Sequence, residues 1–83
     1  MNLDESFNDA LTRVSLLDTQ ATNVQLNLYG LFKQVRKGDV SGSRPGMLDM
    51  RGRAKYDAWA SRKGMTSDDA MNAYIDAAEE LGV

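Results

Sequence analysis

The sequence predicts an all-α fold, a small bundle of four helices in one domain over residues 1–83. β-Branched residues are scarce, with one Ile, five Val and four Thr in 83 residues, and no stretch alternates apolar with polar residues over a strand's length. Apolar residues recur instead at steps of three and four, and these stretches are bracketed by capping residues or glycine.

Leu3, Phe7, Ala10, Leu11, Val14 and Leu17 define a first helix over residues 4–17, with Asp4 and Glu5 in the first turn, where the helix dipole favours carboxylates. A second helix starts at Thr22, with Gln25 three residues on in capping-box spacing. It carries a stripe of Val24, Leu28, Leu31 and Val35 and closes at Gly38 after Arg36 and Lys37. Residues 38–46, with glycines at 38, 42 and 46 and the only Pro, read as an irregular loop, long for so small a domain. Asp49 caps a third helix running through Lys63 and ended by Gly64. Thr66 with Asp69 makes another capping box and opens a fourth helix from Ser67 to Leu81. Its apolar face is Ala70, Met71, Tyr74, Ala77, Ala78 and Leu81.

Composition narrows the chemistry. The chain has no Cys and no His, which removes disulfides, thiolate nucleophiles, thiolate zinc sites, Ser-His triads and imidazole acid–base catalysis together. The carboxylates read as solvated or capping residues and form no metal-ligand cluster; residues 42–46 lack the Lys-Ser/Thr ending of a phosphate-binding P-loop. Neither an enzyme nor a cofactor is expected. No apolar run approaches a membrane span and no signal pattern opens the chain, so the expectation is a cytoplasmic protein without membrane insertion.

The net charge of −2 conceals a segregated pattern: −3 over residues 1–32, +6 over residues 33–63 and −5 over residues 64–83. A cationic middle between acidic ends suits an anionic ligand held locally. On the second helix, Leu26, Tyr29, Lys33 and Arg36 fall opposite the Val24–Val35 stripe, with Phe32 on the border. The plain reading is an exposed face whose long side chains cover the core edge. The chemical reading is a strip for a ligand apolar at one end and polyanionic at the other. Mid-helix Gly30 costs roughly 1 kcal/mol against Ala, most simply because another helix packs closely there. Tyr74, Tyr56 and Trp59 read as core, and Lys55 stands between Ala54 and Ala58 beside a shallow apolar surface.

Several motifs in order then resemble the acyl-CoA-binding protein family. They are LYGLFKQ at residues 28–34, GD at 38–39, RPGMLD at 44–49, GRAKYDAW at 52–59, KG at 63–64 and DAMNAYI at 69–75. The resemblance implies a four-helix, up-down-down-up bundle that binds long-chain acyl-CoA without catalysis. By position it implies that Tyr29, Lys33 and Lys55 meet the 3′-phosphate of CoA, that Phe32 stacks on adenine and that Tyr74 lines the same site. Leu26 and Ala54 are expected nearest the acyl tail. Three residues depart from the family pattern: Phe32 lacks the hydroxyl of the usual Tyr, Ser15 replaces a basic residue, and Gln25 stands near a Met that contacts acyl chains. The ligand expected is fatty acyl-CoA, bound by a monomer.

Two alternatives use the same cations. A nucleic-acid module would set Arg36, Lys37, Arg51, Arg53 and Lys55 against phosphates, with Tyr29 and Phe32 stacking on bases. An adaptor would dock a protein through the same strip. The acidic ends speak against nucleic acid as a partner.

Overall fold

Four helices form: α1 (Leu3–Ser15), α2 (Thr22–Lys37), α3 (Met50–Ala60) and α4 (Ser67–Glu80). The computed structural model describes residues 1–82, and no strand occurs among them; Val83, the last residue of the expected domain, lies outside the described residues.

Helix ends show where local signals were followed and where they were not. Asn2 and Glu5 form a full capping box at α1, each side chain accepting from the other's backbone N–H. The helix stops at Ser15, short of Leu17, because the Leu16 and Leu17 amides bond to Arg13 and Val14, three residues back. The capping box expected of Thr22 and Gln25 does not form. Ala21 is the N-cap, one residue earlier, so Thr22 is already helical, and the Gln25 side-chain amide donates to the Gln20 carbonyl. Asp49 caps α3 as expected, accepting from Gly52 N–H at 2.9 Å. That helix ends at Ala60 rather than Lys63, where successive turns (Lys63 N–H to Ala60, Met65 N–H to Arg62) carry the chain through Gly64 at φ 93°. At α4 only half of the expected box is made: Thr66 accepts from Asp69 N–H at 3.1 Å.

The helices lie side by side in the order α1–α4–α2–α3. The Cα envelope measures 41 × 28 × 15 Å, little thicker than one helix of about 10–12 Å diameter. Tyr29 meets Lys55 and Lys33 meets Trp59, pairs that advance together by four residues, so α2 and α3 run parallel. Gln34, near the end of α2, bonds to the Met65 carbonyl just before α4, which makes those two antiparallel. Phe7, early in α1, meets Arg36 late in α2. The bundle is therefore up-down-down-up. Parallel neighbours need a connection that runs back along the helix, which is the physical reason residues 38–49 are long.

The main core is shared by three helices only. Phe7 and Ala10 of α1, Leu28 and Leu31 of α2, and Met71, Tyr74 and Ala78 of α4 pack together, with Phe7 edge-on to Tyr74 at 5.2 Å between centroids. Each large side chain buried there contributes roughly 1.5–3 kcal/mol.

Helix α3 is attached differently. Trp59 is buried outside the main core cluster, and its indole N–H donates to the Gly38 carbonyl at 2.8 Å. Tyr56 is half-buried and donates its hydroxyl to Gly42 at 3.0 Å. Arg44 grips Asp57 with two hydrogen bonds of 2.8 and 2.7 Å. Behind them, the Asp39 carboxylate accepts from Gln34 and from Gly64 N–H, joining the end of α2 to the α3–α4 turn. Those donors, the Gln34 amide second to the Gly64 backbone, lower the Asp39 pKa.

Candidate ligand-binding site

Helices α2 and α3 come into close backbone contact at Gly30. A methyl group there would collide with the Ala58 carbonyl, its carbon 2.8 Å away. The helical glycine therefore serves close backbone approach, as its cost in a helix interior implied. On the N-terminal side of this crossing the two helices part and leave a groove of about 600 Å³, within the roughly 300–1,000 Å³ of small-molecule sites.

Leu26 and Tyr29, with Thr22 and Gln25 nearer the helix start, form the α2 wall. Met50, Ala54, Arg51 and Lys55 form the α3 wall. Apolar surface from Leu26, Met50 and Ala54 is thus set beside two cations in one cleft. The Lys55 ammonium stands 4.9 Å from the centre of the Tyr29 ring. Beyond the crossing the roles swap, and the Lys33 ammonium of α2 stands 4.7 Å from the centre of the Trp59 ring of α3. Such contacts are worth about 0.5–1 kcal/mol at exposed sites and hold a flexible lysine in place. Neither lysine belongs to an ion pair among the described residues, whereas Arg44 is neutralised by Asp57.

Of the seven residues expected at the site, the groove brings together Leu26, Tyr29, Ala54 and Lys55. Lys33 lies across the Gly30–Ala58 crossing from them. Phe32 does not line the groove; it packs partly on the core and carries the Arg36 guanidinium 5.5 Å above its ring, a group also 5.9 Å from Phe7. Tyr74 is 4% exposed with its ring in the core, and burial raises its pKa. Its hydroxyl nonetheless has no hydrogen-bond partner among the described residues and is not sealed from solvent.

Thr22, Met50 and Arg51 were not singled out for the groove from sequence. Arg51 had a legible signal, standing one helical turn before Lys55 on the same face. Gln34 was missed as well: it is 2% exposed, and its amide donates to Asp39 and to the Met65 carbonyl. Among the described residues no cluster of carboxylates is placed to hold a metal ion, and no helix is long and apolar enough to cross a membrane.

Comparison with known proteins agrees with this arrangement. The family model "Acyl CoA binding protein" matches residues 4–78. "Acyl-CoA-binding protein homolog 1" of Caenorhabditis elegans is 47% identical over 77 residues, spanning 92% of this chain and 90% of the relative. "Acyl-CoA-binding protein homolog" of Manduca sexta is 43% identical over 83 residues, spanning 98% and 92%. The crystal structure of Oryza sativa Acyl-CoA-Binding Protein 2 superposes with a TM-score of 0.89 at 36% identity, covering 96% of this chain and 90% of that one.

Proposed function

The chain belongs to the acyl-CoA-binding protein family, and from that premise we propose that it binds medium- to long-chain fatty acyl-CoA and serves as a monomeric, cytoplasmic carrier and pool former. The family binds its ligand without transforming it, so the chain is not an enzyme. The observation that carries the reading is the groove itself, where apolar Leu26, Met50 and Ala54 adjoin Lys55 and Arg51.

In this reading Lys33 and Lys55, with the Tyr29 hydroxyl, hold the 3′-phosphate. Phe32 offers a ring face to adenine, the Tyr74 hydroxyl completes the nucleotide side, and the tail lies against Leu26 and Ala54. The aromatic rings beneath both lysines support the assignment, since a lysine already positioned loses less entropy on gripping a phosphate. Each charge-assisted contact is worth about 1.5–3 kcal/mol and separates acyl-CoA from free fatty acid. Each buried methylene adds about 0.8 kcal/mol before ordering costs and separates acyl-CoA from free CoA.

Calorimetry with dodecanoyl-CoA, palmitoyl-CoA, free CoA and palmitate tests this. The long-chain esters are expected to bind more tightly than CoA or palmitate by at least an order of magnitude. Equal affinity for CoA and its esters would remove the tail from the groove.

A further inference from the structure

One cation of the α2 strip is held in place yet unused by the fold. Arg36 shares its helix face with Tyr29 and Lys33. Its guanidinium carbon lies 5.5 Å from the centre of the Phe32 ring and 5.9 Å from that of Phe7. A long side chain on an exposed residue is thus laid against two rings instead of sweeping through solvent. Among the described residues it belongs to no ion pair and makes no hydrogen bond. Asp39, the acid nearest to it along the chain, is taken by Gln34 and the Gly64 N–H. The planar fork of N–H donors on Arg36 therefore has no acceptor in the protein.

Its position along the helix indicates what would supply one. Leu26 lies in the groove, Tyr29 and Lys55 meet at its cationic side, and Lys33 lies beyond the Gly30–Ala58 crossing. At 1.5 Å per residue, Arg36 stands about 15 Å past Leu26 along the axis. A ligand with its tail in the groove brings its most polar end there. Arg36 also follows Lys33 by three residues, which makes them neighbours on one face with Cβ atoms about 5–6 Å apart. Like charges so placed repel, and each is drawn to a different edge of α2. Lys33 leans over Trp59 of α3, whereas Arg36 leans toward Phe7 of α1. Two unpaired cations parted in this way bracket a position for a dianion on the face between them.

We propose that Arg36 is a further contact to the 3′-phosphate of bound acyl-CoA, gripping it from the α1 edge of the helix while Lys33 grips it from the α3 edge. The assignment rests on the acyl-CoA reading and deepens it. A guanidinium offers a phosphate parallel N–H groups where lysine offers a point charge. Arg36 therefore sharpens the choice of esters that carry the 3′-phosphate over those that lack it. Moving off the Phe32 ring to reach the phosphate also vacates the ring surface proposed for adenine.

Calorimetry with dodecanoyl-CoA and its 3′-dephospho analogue tests this on the unsubstituted chain, Arg36→Gln and Lys37→Gln. Arg36→Gln should weaken dodecanoyl-CoA about tenfold or more and alter the dephospho ester less than about twofold. Lys37→Gln removes the same charge from the next residue, turned about 100° off the strip, and should leave both ligands within about twofold. Unchanged affinity of Arg36→Gln for dodecanoyl-CoA, equal weakening toward both esters, or an equal loss in Lys37→Gln would overturn the assignment and leave the acyl-CoA reading standing. Failure of the unsubstituted chain to bind dodecanoyl-CoA would overturn both.

Discussion

The two sides of α2 are built on different principles. Toward α4 and α1 it buries Leu28 and Leu31 in an apolar core with Phe7, Met71, Tyr74 and Ala78. Toward α3 it offers Gly30 for backbone contact, two lysine–aromatic pairs and, through the following loop, a set of hydrogen bonds. Stability resides mainly on the first side, and the groove lies on the second. A face sealed by interlocking apolar side chains would leave no room for a tail. One held at a single crossing and tied at its margins by polar contacts leaves a groove open.

The largest effect expected from this contrast is on the sealed side. Phe7 is 2% exposed, and Phe7→Ala should cost about 3–5 kcal/mol in urea unfolding. For 83 residues, total stability is on the order of 4–12 kcal/mol. The variant should sit near its unfolding threshold. A loss under about 1 kcal/mol would mean that α1 adds little to the core.

Gly30→Ala probes the joint between the regions. Helix propensity alone would make it stabilising by about 1 kcal/mol. Collision with the Ala58 carbonyl opposes that with an overpacking cost of about 1–3 kcal/mol. The expected result is a small net destabilisation with faster amide exchange in α3, unchanged exchange in α1, and several-fold weaker acyl-CoA binding. A gain of stability with α3 protection intact would show that the helices are free to separate at no cost.

Lys33→Ala separates recognition from stability. It removes one phosphate contact in the proposed complex, so affinity should fall at least about tenfold by calorimetry. The fold loses one contact between a half-buried lysine and the buried Trp59 ring, about 0.5–2 kcal/mol. An unchanged dissociation constant would take Lys33 out of the site.

The same division explains what was legible in the chain. The α1, α2 and α4 stripes follow from local periodicity, and their central residues (Phe7, Leu28, Leu31, Tyr74) are the core. Gly30 was legible as a packing residue because a glycine in mid-helix carries a cost that some neighbour must require. The α3 side depends on pairs distant in sequence. Nothing local says that Tyr56 will reach Gly42, that Arg44 will find Asp57, or that Gln34 will be buried against Asp39 and Met65. Trp59 read simply as core because its size announces burial, whereas its indole N–H bond to Gly38 depends on the path of the loop. The Thr22–Gln25 spacing misled because capping boxes are sensitive to a one-residue shift in helix start.

Acid provides the gentlest test, because it loosens the polar side while sparing the apolar one. The Arg44 clamp lowers the Asp57 pKa, and the Gly64 and Gln34 donors lower that of Asp39. A carboxylate with a folded-state pKa below its unfolded value contributes stability that is fully present above about pH 4 and is lost as pH falls through the depressed value. On acidification below about pH 4, amide signals of Gly64 and of the loop around Gly42 should therefore move before those of the α1–α4 core. Asp57→Asn should remove the step at Gly42 while leaving the step at Gly64, since the two carboxylates serve separate joints. Simultaneous movement of loop, corner and core in the unsubstituted chain would mean that α3 unfolds only with the rest. The groove would then be as rigid as the core beside it.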